Sequence, residues 1–119
     1  MKVIVPISVG ELLDKISILQ IKSQFTDSQY VYKEKEYLTE IAKENNVYDQ
    51  NFLNKLFDIN SKLWEIEDKL REYEKSQLFD DEFVELARSV YVTNDERSKV
   101  KKEINDYTGS EFHEIKIYK

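Results

Sequence analysis

A mainly α fold is predicted, an antiparallel helical hairpin or bundle of four to five helices with a small two-stranded β-ribbon formed by the N- and C-terminal segments. Three observations predict it. Hydrophobic residues make up 40% of the 119 and charged residues 35%, so the apolar positions must be concentrated on narrow stripes. Phe52, Leu56, Ile59, Leu63, Ile66, Leu70 and Tyr73 follow one another at spacings of 4, 3, 4, 3, 4 and 3, a seam that needs a partner helix. Both chain ends carry β-favouring apolar residues, Val3, Val5 and Ile7 at one end and Phe112, Ile115 and Ile117 at the other. No repeat, low-complexity tract or composition break divides the chain, so residues 1–119 are read as a single helical domain.

The elements follow in order. Residues 1–7 are read as a short edge-type strand, with Pro6 near its end where a missing ladder donor is tolerated. Ser8 and Glu11 make a capping box that opens a first helix bearing Leu12, Ile16 and Leu19, with Leu13, Ile18, Ile21 and Phe25 widening the stripe enough for burial on two sides. Thr26-Asp27-Ser28 interrupts the pattern. A second helix carries Val31, Leu38, Ile41 and Ala42 and ends at Asn45-Asn46. Asp49 caps the third, seam-bearing helix, which is expected to form an antiparallel hairpin with the second across residues 45–49. Asp80 or Asp81 caps a short fourth helix with Phe83, Leu86, Ala87 and Val90 inward. Thr93 with Glu96 caps a fifth bearing Val100, Ile104 and Tyr107 and stopping at Gly109. Phe112 to Tyr118 is read as the second strand, natural partner of the first.

Composition excludes several kinds of chemistry. The chain has no Cys and one His, which removes disulfides, thiol nucleophiles, thiolate metal sites and His-rich zinc sites. Two glycines allow no phosphate-cradling Gly-rich loop. The longest apolar run, Val3 to Ile7, is far short of the ~20 residues of a membrane span, so no membrane association and a cytoplasmic location are expected. A net charge of −6 opposes duplex nucleic acid as a partner. No metal or cofactor is expected. Paired carboxylates such as Glu67/Asp68 and Asp95/Glu96 are too common in helical proteins to indicate acid–base catalysis.

Three constellations remain. Arg88, Tyr91, Asn94, Asp95, Arg97, Lys99, Lys101 and Lys102 fall within fifteen residues, and Asn94, Arg97, Lys101 and Asn105 share one helix face at spacings of 3, 4 and 4, placed opposite Val100 and Ile104. That face suits a phosphate or carboxylate; its plain structural reading is a solvated helix face with local ion pairs. Trp64, Asp68 and Arg71, with Glu67, make a second cluster. It is either one wall of a base- or sugar-binding site or a core Trp beside a surface Glu67–Arg71 pair. Glu11, Asp14, Lys15 and Lys22 lie beside the wide stripe of the first helix, where buried pairing at an interface or lysine snorkelling accounts for them.

Read together, Ser8-Val9-Gly10-Glu11-Leu12-Leu13-Asp14-Lys15 with Ile18 and Lys22, Leu63-Trp64-Glu65-Ile66-Glu67-Asp68, and the stretch from Leu86-Ala87-Arg88 through Val90-Tyr91, Asn94-Asp95 and Ile104-Asn105 to Gly109-Ser110 resemble a family. It is a domain-of-unknown-function family of short helical proteins found in tailed bacteriophages and in some bacterial polysaccharide-biosynthesis neighbourhoods. The resemblance spans nearly the whole chain and implies a phage or bacterial origin, but it transfers no activity and no catalytic residue.

The expected function is a non-enzymatic, homo-oligomeric protein that binds or sequesters a small anionic ligand such as a nucleotide or nucleotide-sugar. A phage anti-defence sponge is one form of it. The candidate ligand-binding residues are Arg88, Tyr91, Asn94, Asp95, Arg97, Lys101, Asn105, Trp64, Asp68, Arg71, Lys15 and Lys22. The alternative is a helical protein–protein interaction module without a small ligand. An enzyme is the least supported reading, because no nucleophile, metal spacing or cofactor loop is recognisable.

Overall fold

A computed structural model describes residues 1–117 as four helices: α1 (Val9–Lys22), α2 (Gln29–Glu44), α3 (Gln50–Ser76) and α4 (Asp81–Thr108). The expected caps open three of them. Ser8 Oγ accepts from the Glu11 amide, Asp49 Oδ1 from the Phe52 amide and Asp80 Oδ1 from the Phe83 amide, at 3.0–3.1 Å. Asn46 and Gly109 take left-handed backbone conformations just beyond α2 and α4, with φ of 57° and 65°. No helix among the described residues is long and apolar enough to cross a membrane.

α1 is the centre of the molecule. It packs against α2, α3 and α4, and Leu12, Leu13, Ile16, Leu19 and Ile21 are all buried around its circumference. Leu12, Leu13 and Ile16 form the core with Ala42 of α2, Leu53 and Leu56 of α3 and Ile104 of α4. The expected hairpin of the second and third helices does not form. α2 packs along α1 and α3 packs along α1 and α4, because α1 offers apolar surface on every side whereas only Ala42 of α2 is fully buried.

The fourth and fifth expected helices are one continuous 28-residue α4. The Thr93-Glu96 box does not start a helix. Phe83, Leu86, Val90, Thr93, Arg97, Val100 and Ile104 continue a single stripe at spacings of 3, 4, 3, 4, 3 and 4, and burying that stripe outweighs a local capping preference. α3 and α4 extend past the end of α1 as a two-helix arm. Along it Leu63, Ile66, Leu70, Phe83, Leu86 and Val90 are only half-buried.

The expected β-ribbon is absent: there is no strand among the described residues. The chain ends do meet, with the Val9 amide donating to Ser110 Oγ at 3.1 Å and the Ser110 hydroxyl donating to the Phe112 carbonyl at 2.8 Å. Beyond that point side-chain ion pairs draw residues 111–117 onto α4, Glu114 to Lys101 at 3.0 Å and Lys116 to Asp95 at 3.7 Å, instead of into a ladder with residues 1–7. Two isolated strands have too little to hold them against that competition. Tyr118, the last residue of the expected second strand, lies outside the described residues.

Candidate functional site

The first turns of α1 lie against the C-terminal half of α4, and polar groups fill the contact. Gly10 permits the approach: a Cβ there would stand 2.7 Å from the Lys101 carbonyl oxygen and 3.0 Å from Asn105 Oδ1. The Gly10 amide instead donates to Asn105 Oδ1 at 2.7 Å. That bond satisfies one of the unpaired donors of the α1 N-terminus from another helix.

Deeper in the same seam Asp14 has no exposure at all. Its carboxylate accepts from Arg97 Nε at 2.9 Å and from an Arg97 terminal nitrogen, a forked pair, and Oδ1 also accepts from Asn60 Nδ2 at 2.9 Å. Asn60 donates as well to Ser17 Oγ at 2.8 Å, and the Ser17 hydroxyl donates to the Asp14 carbonyl at 2.7 Å. Residues of α1, α3 and α4 thus form one buried network. The hydrogen bond to Asp14 raises the Arg97 pKa against the opposing effect of burial.

One turn on, Lys101 Nζ donates to Glu11 at 2.7 Å and to Glu114 at 3.0 Å. Burial pulls the Lys101 pKa down, but the bonds to the two carboxylates outweigh it and the net shift is upward. The Glu11 carboxylate therefore serves Lys101, and only the Ser8 half of the expected capping box forms, through the Glu11 amide. The Glu114 carboxyl is held below its ordinary 4.5, chiefly by the hydrogen bond from Lys101. A depressed carboxyl contributes stability above its unfolded pKa and loses it as pH falls through the folded value. Acidification from neutrality to below 4.5 is therefore expected to release residues 111–117 from α4 while the helices persist. Amide NMR shifts of these residues check this; a segment that stays docked until the helices melt would refute it.

Between α4 and the C-terminal segment lies a cleft of about 650 Å³, lined by Tyr91, Asn94, Asp95, Arg97, Lys101, Glu114 and Lys116 together with Val90 and Ser98. Arg97 reaches it past Asp14, and its second terminal nitrogen makes no hydrogen bond among the described residues. Asn94 is half-buried and Tyr91 exposed on the cleft wall.

Of the expected site residues, Tyr91, Asn94, Asp95, Arg97 and Lys101 meet at this cleft, and Asn105 lies next to it, spent on Gly10. The face they share is not opposite the Val100/Ile104 stripe but adjoins it, facing α1. Arg88 stands outside the cleft, exposed and paired with Glu85 at 3.2 Å; its pKa is raised first by a hydrogen bond with Tyr91. The second cluster is not assembled. Trp64 stacks on Phe25 with ring centroids 5.4 Å apart, Asp68 and Arg71 are exposed on the arm, and no Glu67–Arg71 ion pair occurs among the described residues. Lys15 borders a separate apolar cavity of about 570 Å³ under residues 3–7, and Lys22 is exposed in the last turn of α1. Sequence reasoning missed Asn60 and Glu114. Asn60 was detectable, since Leu53, Leu56, Asn60 and Leu63 continue a seam at spacings of 3, 4 and 3 with a polar residue in an apolar place.

With this geometry in place, comparison with known proteins gives one result. The chain belongs to the Family of unknown function (DUF6165), whose model matches residues 1–119. No curated protein and no solved structure shows significant similarity to it.

Proposed function

We propose that this member of the family is a non-enzymatic, homo-oligomeric binding protein that holds a small anionic ligand of the nucleotide class on the α4 wall of the cleft, at Tyr91, Asn94, Arg97 and Lys101. The observation that carries this reading is the state of Arg97. Its guanidinium is fixed by a fully buried carboxylate, and Arg97 is among the residues that line the open cleft, which makes it a preorganised donor. Tyr91 supplies a flat wall, and Asn94 and Ser98 supply hydrogen bonds. A protein of phage origin with this property would act by sequestering a signalling nucleotide. The half-buried seam of the α3–α4 arm supports the oligomeric part of the proposal, since a second copy laid along it would complete its burial.

Native mass spectrometry of the protein as purified from cells is expected to show an oligomer carrying a retained mass of several hundred daltons. Titration with AMP then tests the site. Tyr91→Ala and Asn94→Ala, chosen because both side chains lie outside the buried network, are expected to weaken binding by about tenfold with an unchanged melting temperature, the loss of roughly one good hydrogen bond or ring contact. A clean apo monomer and no AMP binding would count against the proposal.

One observation favours the second reading, a protein–protein interaction module. Leu78, Phe79 and Val84 are about half exposed together at the tip of the arm, where Phe79 packs edge-on against Phe83 at 5.1 Å.

A further inference from the structure

We infer that Glu114 is an internal stand-in for the ligand, whose carboxylate or phosphate oxyanion takes the place of the Glu114 carboxylate at Lys101 and so releases the C-terminal segment. This rests on the reading of the cleft as a ligand site. The Lys101 side chain is 9% exposed and has two carboxylate partners of different kinds. Glu11 is built into the first turn of α1. Glu114 lies on an irregular segment and its side chain is 50% exposed, so it can leave without unfolding a helix.

Among the described residues, apolar contacts add little to the segment's hold. Phe112, Ile115 and Ile117 are 46%, 75% and 87% exposed, so apolar burial contributes little to docking. Its attachment is polar, through Ser110 at its base and the side chains of Glu114 and Lys116. When Glu114 departs, a nearly buried ammonium is left with an open donor, in a cleft that Arg97 also lines. An open donor on a buried cation is costly, so an oxyanion is the group that the vacated place selects. A tethered carboxylate competes at an effective concentration on the order of mM, and a ligand's apparent affinity falls by the fraction of time the place is open.

The test uses the full chain and its Glu114→Gln variant, titrated with AMP as a phosphate probe and benzoate as a carboxylate probe. Calorimetry reads affinity and amide NMR of residues 111–117 reads docking. Glu114→Gln is expected to bind at least one probe about tenfold more tightly than the unaltered protein, as removal of an internal competitor requires. Saturating the unaltered protein with that probe is expected to undock the segment. The probe that gains tells a phosphate site from a carboxylate site. Equal affinity in both proteins, with the segment still docked at saturation, would overturn the inference and leave the cleft standing as a ligand site. Failure of both proteins to bind either probe would overturn the inference and the ligand-site reading together.

Discussion

Replacing Arg97 by Met is expected to cost about 3–5 kcal/mol of stability, measured by urea unfolding, because it leaves the Asp14 carboxylate buried without its cation. Asn60 still donates to Oδ1, but one neutral hydrogen bond does not offset a desolvated charge. The same physics makes the double variant Asp14→Leu/Arg97→Met recover most of the loss, since a well-packed apolar pair often matches a buried ion pair in stability. A single variant that loses less than ~1 kcal/mol would show that the Asp14 carboxylate reaches water once Arg97 is gone.

In the dissociated single chain, Leu56→Ala is expected to cost about 2–5 kcal/mol and Leu70→Ala only about 1 kcal/mol, although both are leucines of one heptad seam on one helix. Leu56 has no exposure and touches the core built on α1, whereas Leu70 lies on the arm, half-buried between two helices. Truncating Leu56 opens a cavity that rigid neighbours cannot fill; truncating Leu70 leaves space that water and neighbouring side chains can enter. Paired urea titrations under identical conditions decide it. Equal losses would mean that the arm is covered in solution, in agreement with the proposed oligomer.

The helices and their caps were legible because capping and periodicity are local. Ser8, Asp49, Asp80 and Gly109 act within a few residues of themselves and stand where they were expected. Partner choice is not local, and the pairing of α2 with α3 was inferred from a short connection when the apolar girth of α1 decides it. The Thr93 box misled because Thr93 also fits the continuing stripe of α4, where it is buried. The strands failed for a related reason: an apolar chain end reads as a strand whether or not a ladder partner is available, and here Glu114 and Lys116 fix one end elsewhere. In the candidate site, the cluster Tyr91 to Lys101 was legible as a concentration of polar residues on one face. Its contact with α1 was not, because Arg97 and Lys101 were assigned to solvent while Glu11 and Asp14 were weighed separately. Each pair is joined across 83 to 90 residues of sequence. Recognising Arg97 as a seam position would have joined them.

The central place of α1 also sets an order of events during synthesis. It leaves the ribosome before α2, α3 and α4, yet its buried carboxylate waits for Arg97 and the amide of Gly10 for Asn105, so neither is satisfied until α4 has emerged. α2 alone cannot shield it, being able to cover one side only. The nascent chain therefore carries an exposed apolar helix through most of its translation, and its folding is governed by the closing of long loops. A bundle nucleated by sequential hairpins would bury each helix soon after it emerged and would not carry this exposure.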